Sequence, residues 1–345
     1  MVTIKDISKR SGYSISTVSK VINNYPDIPN STREVIIKLM EEMRYVPNST
    51  ARSLKTARSY TIGIIFEEVT QQGLQHPLFS KILESFKAVV EDKGYDILFL
   101  AKNMGLQNGS YYEHSIRKQV DAILVLCADF NNPSMIELYE SEFPIVVIDY
   151  NVENALTVTS NNESGAKLAI DHLVQLGHRN IAHIYGDPET FIGGIRKLAV
   201  EVALSQHGIT LPQEYEFNGS KYSKDEGYEG MKELLELSTP PTAVFCASDL
   251  MAIGAIQAAR DSGLRVPEDI SVIGFDGIDI GQMITPRLTT VRQNTTLMGE
   301  IAAQSILDMV EQTEDKRKAE TVSVATELLA GESTCRPKGE NKNEA

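Results

Sequence analysis

The sequence predicts a small all-α head with a helix-turn-helix, followed by an α/β core of two doubly wound subdomains. Three observations predict it. Two short amphipathic runs near the N-terminus are separated by Gly12-Tyr13-Ser14. Beyond residue 60, continuous apolar runs alternate with stretches of helical period, as in parallel sheets covered on both faces. Those alternating units form two successive series, one for each subdomain.

The first run begins at Thr3-Ile4-Lys5-Asp6-Ile7, with Ile4, Ile7 and Ser11 on one helical face. Thr3 is placed to cap it, with Asp6 three residues on. Gly12 supplies the permissive backbone for the reversal. Ser14 is placed to cap the second run, Ser16-Thr17-Val18-Ser19-Lys20-Val21-Ile22-Asn23, which turns Val18, Val21 and Ile22 inward. Two short helices joined by a tight turn make a helix-turn-helix, whose second helix enters the DNA major groove. Pro29 to Glu34 opens a third helix through a Ser31/Glu34 capping-box pattern, with Val35, Ile36, Leu39, Met40 and Met43 behind it. Tyr45 to Lys55 is basic and poorly apolar, and a helix there needs a partner to persist.

In the core, Thr61–Phe66, Ile97–Leu100, Ala122–Leu126 and Ile145–Asp149 read as strands, with helices over Phe79–Lys93, 110–119 and 133–142. The second series has strands Ile181–Tyr185, Ala243–Cys246 and Ile270–Asp276 among helices near 163–176, 193–207, 225–237 and 250–262. Ligands of such sheets bind beyond the carboxyl ends of the strands. Asp149, Ser248, Asp249 and Asp276 stand there. Asp249 is better placed to cap the helix from Leu250 than to meet a ligand, and Asp149 has a turn-capping alternative. Phe79 fits core packing as well as stacking.

Thr3-Ile4-Lys5-Asp6-Ile7, Ser16 to Asn23, Thr32-Arg33, Tyr45-Val46-Pro47-Asn48 and Ala51-Arg52-Ser53-Leu54 resemble, in sequence and spacing, the lactose/galactose (LacI/GalR) repressor family. The resemblance extends to about residue 330. It implies a helix-turn-helix headpiece over 1–46, a hinge over 47–60 and a periplasmic-binding-protein-like core over 61–330. Within that core it implies an N-subdomain of about 61–160 plus 293–322 and a C-subdomain of about 161–292 plus 323–330; residues 331–345 are expected to be a disordered tail.

By the same resemblance, DNA contacts are expected from Thr3, Ser14, Ile15, Ser16, Thr17, Ser19, Lys20, Asn23 and Arg33 in the head. In the hinge they are expected from Asn48, Ala51, Arg52, Leu54 and Lys55, with Leu54 as the apolar wedge that opens a minor-groove step. Effector contacts are expected from Asp149, Arg196, Ser248, Asp276 and Gln293, with Phe79 and Tyr222 as an aromatic wall. Carboxylates and an arginine suit vicinal hydroxyls, and aromatic faces suit the apolar side of a sugar ring.

Some positions depart from the family pattern. Arg196 is followed by Lys197-Leu198-Ala199-Val200 rather than Arg-x-x-Gly-Phe, and the usual Asp-Asn pair is Asn161-Asn162. Thr190 replaces the arginine of purine-responsive members, and there is no tryptophan. The expected effector is therefore a sugar or sugar derivative rather than a purine.

Charge is divided unevenly. The chain carries −14 overall, yet residues 1–60 hold ten Lys/Arg against five Asp/Glu, a net of +5. The other 285 residues hold 23 against 42, a net of −19. A basic head on an acidic body suits a DNA reader whose body stays off the phosphates. No apolar stretch approaches the roughly 20 residues of a membrane span, and no signal peptide opens the sequence. A cytoplasmic protein is expected, without cofactor or metal. Cys127 and Cys246, in apolar runs, read as buried thiols, and Cys335 leaves the count odd. The six histidines form no HxxxH pair, and no Gly-x-Ser-x-Gly, P-loop or dinucleotide fingerprint occurs. An enzyme is not expected. The expected function is a homodimeric regulator, a repressor of carbohydrate-utilisation genes that binds a pseudo-palindromic operator. The alternatives are a catabolite-control regulator with a protein corepressor and a solute-binding protein.

Overall fold

A computed structural model describes residues 2–22, 25–46, 58–67, 73–101, 103–104, 107–311 and 319–338. The chain divides into two compact units, Met1–Tyr60 and Thr61–Ala345.

The first unit holds α1 (Ile4–Ser11), α2 (Ile15–Ile22) and α3 (Asn30–Glu42). Asp6 accepts from the backbone N–H of Thr3 at 2.9 Å and from its hydroxyl at 2.7 Å. Gly12 closes α1 in the left-handed region at φ 75°, where a side chain would be strained. The Thr17 N–H donates to the Ser14 hydroxyl at 3.1 Å, so Ser14 caps α2. Ile7, Val18, Val21 and Ile36 form the small core. α3 differs from expectation: it starts at Asn30 behind Pro29, leaving Ser31 inside the first turn rather than at the cap. Val35 is 50% exposed, because the inward face runs through Ile36, Leu39, Met40 and Met43 instead.

The second unit is built on two six-stranded sheets. The first comprises β1 (Thr61–Phe66), β2 (Asp96–Phe99), β3 (Ala122–Cys127), β4 (Ile145–Ile148), β5 (Leu156–Ser160) and, late in the chain, β11 (Glu320–Val324). Its order is β11-β5-β4-β3-β1-β2, parallel throughout. The second comprises β6 (Ile181–Tyr185), β7 (Glu216–Asn218), β8 (Ala243–Cys246), β9 (Ser271–Asp276), β10 (Thr289–Gln293) and β12 (Thr326–Leu329). Its order is β12-β10-β9-β8-β6-β7, with β12 alone antiparallel.

Helices α4 (Pro77–Asp92), α5 (Tyr111–Lys118), α6 (Pro133–Glu140) and α12 (Thr295–Glu311) serve the first sheet. Those of the second are α7 (Asn162–Gln175), α8 (Phe191–Gln206), α9 (Lys224–Leu235), α10 (Asp249–Asp261) and α11 (Asp279–Met283). The chain passes between the sheets after Ser160, after Gln293 and after Val324. The last passage falls two residues beyond the expected boundary at 322/323, because β11 continues to pair with β5 through Val324. A side-chain link also joins the halves: Lys81 Nζ of α4 lies 2.6 Å from Asp279 Oδ1 of α11.

α9 and α10 cross at unusually short range. A Cβ on Gly254 would lie 1.9 Å from the Lys224 carbonyl oxygen, and one on Gly227 would lie 2.0 Å from that of Met251. Gly254→Ala is expected to destabilise the core by about 1–3 kcal/mol, because the backbone overlap outweighs the ~1 kcal/mol helix-propensity gain. Urea unfolding measures the difference, and a variant as stable as the parent would contradict the close crossing.

Two other expectations need correction. Cys246 is buried but Cys127, at the end of β3, is only half-buried. The tail is packed through Lys338 rather than disordered from Gly331. Ser333 is fully buried, donates to the Val272 carbonyl at 2.5 Å and accepts from the Thr289 N–H at 2.9 Å. The Cys335 N–H donates to Ser271 Oγ at 3.0 Å. These bonds satisfy polar groups beside β9 and β10 that burial would otherwise leave unpaired. Also buried is His183, in the middle of β6; it stacks on Phe245 at 5.2 Å, and burial pushes its pKa down to about 3.

Candidate functional site

The carboxyl ends of β4, β6, β8 and β9 and the first two passages between sheets bring polar side chains together. Arg196, on the second turn of α8, is 4% exposed. Its Nε donates to Asn162 Oδ1 at 2.7 Å, and its Nη1 donates to the Ala247 carbonyl at 2.8 Å. The guanidinium carbon sits 3.8 Å from the Phe275 ring centroid, and Nη1 lies 4.0 Å from Asp276 Oδ1. Asp276 Oδ1 also accepts from Gln293 Nε2 at 2.7 Å. Asp276 and Gln293 are 9% and 3% exposed.

Across the cleft, Asp149 Oδ1 accepts from Thr159 Oγ1 at 2.8 Å, and Asn162 Nδ2 donates to the Ser160 carbonyl at 2.8 Å. Burial raises the Asp149 pKa, with Thr159 and the Arg196 charge opposing it. Burial pushes Asp276 up to about 6, with Arg196 and Gln293 opposing it and Asp149 adding to it. Arg196 is thus held by groups of the second half of the core, and its charge also acts on Asp149 of the first. Asp149, Tyr222 and Asp276 all have positive φ, at 57°, 54° and 129°. Such strain in non-glycine residues concentrates at ligand sites.

The expected effector residues fall into two groups. Asp149, Arg196, Tyr222, Asp276 and Gln293 are brought together. The Tyr222 ring lies over the Gly186 backbone and feels the charges of Arg196 and Asp276. Ser248 is adjacent, but it serves as the cap of α10, accepting from the Met251 N–H at 3.2 Å. That corrects Asp249, expected to be the cap. Asp249 is instead fully buried, accepting at Oδ2 from the Ile278 N–H at 2.8 Å and at Oδ1 from the Thr290 hydroxyl. It ties α10 to the loop that carries Asp276. Phe79 packs 5.6 Å from Phe66, at the carboxyl end of β1, and 4.7 Å from His76.

Sequence reasoning missed three aromatics beside this network. Phe130 and Tyr150 stack at 4.0 Å with only 2° between planes, and Phe191 meets Tyr150 edge-on at 6.0 Å. Tyr150 directly follows Asp149 at the end of β4, and Phe191 opens α8 behind its cap Thr190, so adjacency to a strand end was a signal for Tyr150 alone. Asn162 was noted only as a departure from pattern, yet it holds Arg196.

In the head, Thr3, Ser14, Ile15 and Ser16 are exposed, and Thr17, Ser19, Lys20 and Arg33 are partly exposed. Ser16 and Lys20, four residues apart, share one face of α2. Lys20 Nζ lies 2.5 Å from Asp27 Oδ2, and Arg33 Nη2 donates to the Tyr25 carbonyl at 2.6 Å. Asn23, Asn48, Ala51, Arg52, Leu54 and Lys55 lie outside the described residues.

Residues 3–48 match the model for bacterial regulatory proteins of the lacI family, and residues 170–334 match a periplasmic binding protein-like domain. The probable HTH-type transcriptional repressor ExuR of Bacillus subtilis (strain 168) is 36% identical over 340 residues, 97% of this chain and 99% of that protein. The chain belongs to the lacI family. This lacI-family chain is also 37% identical to the HTH-type transcriptional repressor PurR of Erwinia tasmaniensis, covering 95% of this chain and 96% of that one. The lac repressor dimer bound to operator and the anti-inducer ONPF superposes with a TM-score of 0.82 at 25% identity, over 97% of this chain and 99% of that one. A transcriptional regulator CelR–cellobiose complex gives 0.69 at 28% identity, over 96% and 100%. The relatives named as repressors match this lacI-family chain from the head to the end of the core, and DNA-binding transcriptional regulation is its function.

Proposed function

We propose that this chain acts in the cytoplasm as a homodimeric repressor of carbohydrate-utilisation genes, released from or fixed on its operator by a sugar or sugar derivative, and that it is not an enzyme. The observation that carries this reading is the Arg196 network at the strand ends, whose charge acts on Asp276 of one half of the core and on Asp149 of the other. A ligand that fits one arrangement of the halves better than another shifts the population between them. A structural relative bound to cellobiose supports a carbohydrate ligand. Among the described residues, no helix is long and apolar enough to cross a membrane.

The proposed division is a headpiece over 1–46, a hinge over 47–60 with Leu54 as minor-groove wedge, and the two subdomains of the core. Phe79, Asp149, Arg196, Tyr222, Ser248, Asp276 and Gln293 are the proposed effector contacts. Ile15, Ser16 and Lys20 are the proposed base readers. On DNA, Lys20 exchanges Asp27 for a guanine edge, the acceptor-rich partner in the major groove. Lys20→Ala is expected to lose about 1–3 kcal/mol at one operator base pair and to relax specificity there. Affinities for a set of single-base operator variants measure this. Full discrimination at every position would remove Lys20 from the reading surface.

A further inference from the structure

Lys20 is the only charged side chain on α2, and its ammonium can only donate hydrogen bonds. It does not stand alone. Asp27 Oδ2 lies 2.5 Å from Lys20 Nζ, and the two side chains reach solvent at 52% and 40% exposure. Wherever this ammonium sits, a carboxylate is one hydrogen-bond length away.

The loop itself holds that carboxylate in place. Tyr25-Pro26-Asp27-Ile28-Pro29 lies between α2 and α3. Its prolines fix their own φ and restrict the residues before them. The Tyr25 N–H donates to the Lys20 carbonyl at 3.0 Å, and Arg33 of α3 donates to the Tyr25 carbonyl at 2.6 Å. Ile28 packs on the core of the head. Asp27 is pinned from both sides. The Lys20 hydrogen bond holds its carboxyl below the usual range, so it is ionised at neutral pH.

An exposed ion pair contributes at most about fivefold to an equilibrium, so DNA can replace it cheaply. In the major groove a G·C pair offers guanine N7 and O6 as acceptors and the cytosine N4 amine as donor. O6 and N4 are hydrogen-bonded to each other, roughly 2.9 Å apart. An ammonium and a carboxylate 2.5 Å apart present the complementary pattern at nearly the same spacing. With thymine in place of cytosine, or with the pair reversed, the carboxylate would meet an oxygen instead of a donor.

We propose, resting on Lys20 as a base reader, that Asp27 is a second specificity-determining residue. When Lys20 leaves it for guanine, its carboxylate accepts from N4 of the cytosine paired to that guanine. Two contacts then replace one, both on the same base pair.

The test is operator affinity of the full chain on a duplex selected from a random library, with base analogues placed singly at each G·C pair. 7-Deazaguanine removes the N7 acceptor. N4-Methylcytosine replaces the N4 hydrogen that faces the major groove and keeps the base pair. At one pair, 7-deazaguanine is expected to weaken the wild type and to leave Lys20→Ala unchanged. At that same pair, N4-methylcytosine is expected to weaken the wild type about 3- to 30-fold, one charged hydrogen bond less the ion pair it replaces. Asp27→Ala is expected not to respond to that methyl group. An equal loss in both proteins, or no loss in the wild type, overturns Asp27 as a reader while leaving Lys20 in place. If 7-deazaguanine acts through Lys20 at no pair, Lys20 is not a guanine reader, and the assignment of Asp27 falls with it.

Discussion

Arg196→Ala is expected to destabilise the core by about 3–5 kcal/mol, the usual cost of removing one partner from a buried ion pair. The side chain is 4% exposed and has no solvent to fall back on. Its loss leaves the Asn162 carbonyl and the Ala247 carbonyl without their donor, and removes the charge that opposes the burial of Asp276 and Asp149. It also empties the space above the Phe275 ring. Lysine keeps the charge but not the planar fork that reaches Asn162 and Ala247 together, so Arg196→Lys is expected to fall between the parent and alanine. Urea unfolding of the three proteins reads the order. An alanine variant within 1 kcal/mol of the parent would show that the network does not hold these strand ends together.

Asp276→Asn is expected to separate stability from ligand binding. The Asp276 carboxyl titrates near 6 in the folded chain against a usual value of 3.8. Between those values the folded state holds the proton and the unfolded state has lost it. Stability therefore rises as pH falls from about 7 towards 4, and is lost as pH rises through 6. A shift of this size corresponds to at most about 3 kcal/mol. Asparagine removes that part of the slope. Asp149 and Asp249, whose pKa values burial also raises, leave a residual slope of the same sign. Unfolding free energies at pH 5 and pH 7 measure both proteins, and equal slopes would contradict the assignment. Effector affinity is expected to fall roughly ten- to a hundredfold, since charged hydrogen bonds contribute about 1.5–3 kcal/mol each.

The parts of this fold legible in the sequence are those whose residues declare their own burial. β3, β4 and β8 are apolar from end to end and β1 and β9 are apolar along their middles, and the paired helices of the head announce themselves through Gly12 and Ser14. β5 was not legible: Leu156-Thr157-Val158-Thr159-Ser160 is buried throughout, but its hydroxyls read as loop until their partners are known. β10, Thr289-Thr290-Val291-Arg292-Gln293, hides for the same reason. β7, β11 and β12 are sheet edges, half-exposed and therefore polar.

The site divides similarly. Asp149 and Asp276 stood out as charges at strand ends, and Arg196 through the family resemblance. Asn162 did not, because its role depends on where β5 delivers the chain into α7. The burial of Ser333 depends on two backbone groups more than 40 residues away, Val272 and Thr289. Local pattern carries no trace of them.

A ligand between the two halves of the core is proposed to change how the head binds DNA. Fluorescence anisotropy on operator duplexes selected from a random library tests it, with and without the sugar that calorimetry identifies. At saturating sugar the wild-type operator Kd is expected to change at least tenfold, the scale of a ~1.4 kcal/mol coupling between sites. In Asp276→Asn, at the same sugar concentration, it is expected to stay close to its ligand-free value. An operator Kd that does not respond to saturating sugar in the wild-type protein would contradict the account.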